Sequence, residues 1–385
     1  MPAQIAHCLA AEEALLAVAP ELARAWGLAR VDPKKTEAAA IIPAATWFRF
    51  GAQGPDIFYH NQRTMPSGIH YGALAHKRNY GLLLEGALAG LLEAGHGTES
   101  PEAAWLLGFA THAALDRAVH PFIVFFSGWQ SPLSPETSRF RGCHPFLERL
   151  LDLVILGELR GIPIAEVDFE VLLPLELGEW KNEEKAEGDK GEERSDEFAK
   201  LFLAAGLRTA YPRATAADFF LGHRIANAFD DARYFFKMTN PARINSGDGS
   251  VLAHFDDRSK ARSMALLHPE SLPSELDLTN SAGAIWQHPA GDGRESRAGF
   301  RELFDEGVEG AKSALALTLD SLHDRKIAPG FASSIGNGGL SITDGSGIPV
   351  PPRLSRPLPL AELMEREFSK RLEQARGLAA RQSRA

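Results

Sequence analysis

The sequence predicts an all-α fold, a multi-helix bundle, on three observations. Long stretches rich in Ala, Leu and Glu run with few breakers. Apolar residues recur at helical spacing, and the sustained two-residue alternation of strands is absent. Start and stop signals bracket the strongest of these stretches.

Taken in order, residues 8–29 are Ala, Leu and Glu-rich and read as helix. Residues 68–94 continue in that style. The clearest helix covers 101–120. Ser100 is a natural N-cap, Pro101 suits the first helical position, and Glu102 suits the positive end of the helix dipole. Pro121 is expected to close it, because the residue before a proline is pushed out of the α region. Another helix is expected after His144, with Pro145 in its first turn and a stop near Gly161. Residues 181–197 hold eight acidic and four basic residues and no large apolar one, the composition of a solvated loop. Residues 215–238 and 298–323 return to helical spacing. Residues 328–359 are rich in Gly, Ser and Pro and read as a long loop, and 360–383 as a terminal amphipathic helix. The expected organisation is a helical domain over 1–325 with an acidic loop insert at 181–197. A Gly/Ser/Pro-rich loop over 326–359 and a C-terminal helix over 360–385 follow.

The 385 residues are 44% hydrophobic and 24% charged, ordinary globular usage that rules out global disorder. Net charge is −9, which disfavours a nucleic-acid partner held through a basic surface. No apolar run approaches the ~20 residues of a membrane span. The first residues lack a basic stretch followed by an apolar one, so a cytoplasmic location is expected. Two cysteines, Cys8 and Cys143, exclude a disulfide scaffold.

The 13 histidines carry more information. In LGFATHAALDRAVHP, His112, Asp116 and His120 are spaced i, i+4, i+8. On a helix they share one face, along a stripe about 12 Å long. Trp105, Leu106, Phe109 and Leu115 mark that helix as mostly buried. Two imidazoles flanking a buried carboxylate are costly without a partner, and a divalent metal ion binds both ligand types. His144 and Glu148 form a second pair, one turn apart and able to converge on one ion. Asp56 follows Gly54-Pro55 on a turn, where its local reading is an N-cap, and His70 comes fourteen residues later. His7 lies in an apolar helix near the start, where a hydrogen-bonded core histidine is the commoner case. His60 and His76 are near the site in sequence. His76 is six residues from His70, off its face, and reads as structural. Cys8 and Cys143 adjoin His7 and His144 but point elsewhere and are not read as ligands. The run Phe122, Phe125, Phe126 and Trp129 reads as core packing.

In this order, His7, GPDIFYH with Asp56, His70, GFATHAALDRAVHP and HPFLE resemble the zinc-dependent phospholipase C family. The HxxxDxxxH spacing and the GPDIFYH context look most like its uncharacterised bacterial branch and the N-terminal domain of the glycosylphosphatidylinositol-specific phospholipase D enzymes. The later segment LTNSAGAIWQHP, residues 278–289, is also similar to that branch. The resemblance is dense over 1–160 and thin over 200–325. It implies a phospholipase C/zinc nuclease-like bundle and hydrolysis of a phospholipid or other phosphodiester by a zinc-activated water. It further implies that Asp56, His70, His112 and Asp116 hold one zinc ion. His120, His144 and Glu148 would hold a second, and His7 would join a third bridged by Asp116. Secreted members also use the amino group of an N-terminal Trp at that third ion, and this sequence begins Met1-Pro2, so two ions are expected and a third is left open. Asp56 is the expected catalytic residue, as ligand or general base. A single-strand-type zinc nuclease and a non-catalytic binding protein stabilised by metal are the alternative functions.

Overall fold

The computed structural model describes residues 4–28, 43–131, 133–169, 202–242 and 265–382. The expected acidic insert at 181–197 lies outside the described residues. Among the described residues the architecture is all-α, with one antiparallel pair of two-residue strands, Trp286–Gln287 against Glu295–Ser296. The helices are α1 (Gln4–Val18), α2 (Pro20–Ala25), α3 (Pro43–Ala52), α4 (Ile57–His60), α5 (Ile69–Lys77), α6 (Tyr80–Glu93) and α7 (Pro101–Ser127). They continue with α8 (Cys143–Arg160), α9 (Ala204–Ala210), α10 (Pro212–Thr215), α11 (Leu221–Met238), α12 (Phe300–His323), α13 (Phe331–Ile335) and α14 (Leu360–Gln382). None of the described helices is long and apolar enough to cross a membrane.

Helix α7 is the axis. Its N-cap is Ser100, whose side chain accepts from the Ala103 N–H at 3.1 Å. Nearly all of its length is buried, with α3 and α12 packed along it. The expectation that Pro121 ends it fails, because the helix runs on to Ser127. An internal proline costs about 3 kcal/mol. Continuing the helix buries Phe122, Phe125 and Phe126, each worth about 1.5–3 kcal/mol, against Trp286 and Phe300. The packing term wins, and these aromatics are core as expected.

Other boundaries differ for local reasons. The 8–29 stretch is two helices, starting at Gln4 and divided before Pro20. The 68–94 stretch divides at Asn79, which takes a left-handed conformation with φ 63°. Helix α8 starts two residues earlier than expected, at Cys143. Gly142, with φ 81°, is the N-cap, and His144 lies inside the first turn rather than at the cap. Pro145 is tolerated there because N–H groups of the first turn have no intrahelical acceptor. The 328–359 loop contains the five-residue α13, too short for a periodic signal. Helix α14 follows the reading of 360–383 and buries Leu360, Leu363, Met364 and Phe368, with α8 as its neighbour.

Helices α3 and α7 meet at glycines. A Cβ on Gly51 would sit 2.0 Å from the Trp105 carbonyl oxygen, and one on Gly108 would sit 1.9 Å from that of Phe48. Only bare backbone permits this approach, and it carries the C-terminal end of α3 to the middle of α7.

Candidate metal centre

The close crossing of α3 and α7 brings the carbonyl of Ala52 to His112. The Nδ1–H of His112 donates to it at 3.1 Å. That bond fixes the tautomer and turns Nε2 inward, 3.1 Å from Asp116 Oδ2 one turn on. Beyond α3 the chain makes a 3-10 turn over Gly54–Asp56. Gly54 has φ 56°, and a Cβ there would lie 2.2 Å from His112 Cγ, so this position requires glycine twice over. The turn delivers Asp56 into the centre. Its carboxylate makes no capping hydrogen bond to α4. Its oxygens lie 3.0 Å from His76 Nε2 and 3.6 Å from His112 Nε2. The local reading of Asp56 as a cap therefore does not hold.

Helix α1 supplies His7. Asp152 of α8 accepts the Ala6 N–H at 2.7 Å and so anchors the first turn of α1. His7 stacks on His112 with centroids 4.3 Å apart, and its Nε2 is 3.3 Å from Asp116 Oδ1. On the other side of Asp116, His120 donates from Nδ1 to the Leu340 carbonyl at 3.1 Å. Its Nε2 faces Glu148 Oε1 at 3.6 Å, and His144 Nε2 reaches the same oxygen at 3.1 Å.

Two sets of donors result. Ligand atoms of His7, Asp56, His112 and Asp116 lie within 4.8 Å of one another, and so do those of His120, His144 and Glu148. His120 Nδ1 is 3.6 Å from Asp116 Oδ2, so the sets adjoin at Asp116. His70 is not with them. It is exposed at the start of α5, its ring against Tyr71 at 4.0 Å. Its expected place is taken by His76, whose Nδ1–H donates to the Gly72 carbonyl at 2.8 Å. His76 Nε2 lies 3.0 Å from Asp56 and 3.5 Å from Asp116. The signal that identifies His76 is the small pair Gly72 and Ala75, buried with Tyr71 on the packed side of α5. His76 follows one turn after Gly72 on that side, and His70 falls off it.

These donors fit a cation. Nε2 of His76 and of His112, Oδ2 of Asp116 and Oε2 of Glu148 are buried, yet none makes a hydrogen bond despite the short approaches. The atoms thus converge without pointing at one another. Tetrahedral zinc with metal–ligand distances of about 2.0–2.2 Å sets its ligand atoms roughly 3.4 Å apart, and the separations of 3.1, 3.3 and 3.6 Å match that spacing. A second-layer hydrogen bond from Nδ1 to a backbone carbonyl, seen for His76, His112 and His120, is the usual support of a metal-bound imidazole.

The electrostatics agree. Burial works to raise the Asp56 carboxyl, but the neighbouring His76 and His112 outweigh it and hold it down at about 2. Asp116 is held well below the usual range against the same burial effect, chiefly by His120 and His112. Burial alone would lower His76, yet Asp56 and Asp116 push it up to about 10. His112 and His144 are lowered, burial being the larger effect for each. The carboxylates are thus ionised at neutral pH. Neither cysteine joins them. Burial pushes the Cys8 thiol far up and the Cys143 thiol up to about 11, and thiols must ionise to ligate.

No protein family's model matches the sequence, and no curated protein or solved structure matches it.

Proposed function

We propose that this chain is a metal-dependent phosphodiester hydrolase of the phospholipase C kind, with a phospholipid as its substrate. The observation that carries the reading is the pair of adjoining donor sets, built from five histidines and three carboxylates around Asp116. The residues suited to hold one divalent ion are His7, Asp56, His112 and Asp116, with His76 beside them, and those suited to a second are His120, His144 and Glu148. Zinc or a similar ion there supplies Lewis acidity toward phosphoryl oxygens and makes water a better nucleophile at neutral pH.

The chain's own groups do the rest. Backbone carbonyls of Ala52, Gly72 and Leu340 accept from Nδ1 of three imidazoles, so their Nε2 atoms face inward. Asp116 joins the two donor sets and sets their separation. Asp56 arrives from a turn rather than mid-helix, and its carboxylate is ionised, so it is suited to accept a proton from an attacking water. His144 keeps about a quarter of its side chain exposed, the most accessible of the eight, and marks where a phosphodiester enters.

The test is turnover on a panel: phosphatidylcholine, phosphatidylglycerol, a chromogenic phosphodiester and single-stranded DNA. Cleavage of a phospholipid between glycerol and phosphate, lost on chelation and restored by zinc, is the expected result. Cleavage of DNA alone would replace this reading with a nuclease. Cleavage of nothing by metal-loaded protein would leave a metal-stabilised binding protein.

A further inference from the structure

The stretches 64–79 and 210–227 run antiparallel and are stitched along their length. Asn79 Nδ2 donates to Ala210 O at 2.9 Å, and Tyr71 Oη donates to Asp218 at 2.7 Å. Arg224 Nη1 donates to Ser67 O at 2.6 Å, and Asn227 Nδ2 donates to Pro66 O at 3.1 Å. Together they form one continuous face over the outer side of α5. On that face Met65 is 76% exposed, Ile69 37%, Phe219 92% and Phe220 56%. Met65 stands on a bend, and Phe219 and Phe220 stand on the turn before α11. Exposed aromatic and aliphatic side chains on a bend and a turn are suited to insertion at a lipid interface.

The charge on this face is opposite to that of the molecule. Over 64–79 and 210–227 there are four basic residues and one acidic, in a chain whose net charge is −9. The acidic one, Asp218, is taken up by Tyr71 and Arg224. Asp231, just beyond, is buried and holds Arg63, and Asp230 faces Arg233. Lys77 and Arg78 are exposed at the end of α5, and Arg213 is exposed at α10. A basic rim at one end of these exposed apolar side chains, on a chain of negative net charge, complements an anionic bilayer.

We infer that this face, tipped by Met65, Ile69, Phe219 and Phe220, docks the protein onto an anionic lipid surface. The inference does not need the hydrolase reading, and its test is separable from it. The full chain is floated with phosphatidylcholine vesicles, with and without phosphatidylglycerol, at low and high salt. Binding is expected to the phosphatidylglycerol vesicles and to weaken as salt screens the rim. The Phe219→Ser/Phe220→Ser double variant should bind about tenfold more weakly or worse, with unchanged melting and unchanged turnover of a soluble phosphodiester. Lys77→Gln/Arg78→Gln should weaken binding to anionic vesicles and reduce its salt dependence. Equal binding to both vesicle types, or wild-type binding by the double Phe variant, overturns the inference. So does self-association in lipid-free buffer that the double Phe variant abolishes, since the face would then be an interface between copies of this chain.

Discussion

Asp116 sits mid-helix with His112 one turn before it and His120 one turn after. One carboxylate oxygen is 3.3 Å from His7, and the other is 3.1 Å from His112 and 3.6 Å from His120. Asp56 instead enters on a turn, beside His76 and His112. The two carboxylates should therefore fail differently. Asp116→Asn is expected to lose metal, since a neutral amide joins two cations poorly. Asp56→Asn is expected to retain most metal and lose turnover by about a hundredfold or more, because an amide accepts no proton. Metal content measured beside turnover of a chromogenic phosphodiester separates them, and equal metal loss in both would remove the case for distinct roles. The histidines of α5 give a second contrast. His76→Ala should weaken zinc binding at least about tenfold, while His70→Ala should leave it unchanged. Competition with a chromogenic chelator reads both, and the reverse order would restore His70 to the centre.

Among the elements, the crossing of α3 on α7 matters most to the centre. Gly108→Ala forces its new methyl against the Phe48 carbonyl, so the helices must part. The expected cost is about 1–3 kcal/mol, with weaker metal binding because Ala52 withdraws from His112 Nδ1. Denaturant melts with and without zinc measure both effects, and an unchanged midpoint would show that the contact is slack. The loop before α5 depends on Asp231, which accepts the N–H groups of Arg63 and Thr64 at 2.9 Å each and the Asn61 amide at 3.0 Å. Burial works to raise its pKa, but these donors prevail and hold it low. A carboxyl lowered on folding stabilises fully above its unfolded value. Its contribution fades as pH falls from about 4 toward the folded value. Asp231→Ala should cost about 1–3 kcal/mol at neutral pH through the donors left unpaired. The gap from wild type should narrow below about pH 4, and a pH-independent gap would place the effect elsewhere.

Over the whole molecule, what could be read from the sequence followed from local rules, and what could not followed from tertiary contacts. The helical class, the Ser100 cap and the shared face of His112, Asp116 and His120 need only neighbours within two turns. Pro121 defeats a local rule because Phe122, Phe125 and Phe126 find distant partners in Trp286 and Phe300. Asp56 reads locally as a cap because its true neighbours, His76 and His112, come from other helices. His70 and His76 occupy the same helix, and only the burial of Gly72 and Ala75 on its packed side decides between them. Leu340, whose carbonyl orients His120, lies 220 residues away in a stretch rich in glycine and serine, where no pattern could assign it a role.

The central claim is that these side chains form two adjoining cation sites. Elemental analysis of the purified full chain, reconstituted with zinc and then dialysed, tests it most directly. Two donor sets predict at least two zinc ions per chain, falling by one or more in Asp116→Asn. Less than one ion per chain in the wild type would contradict the account.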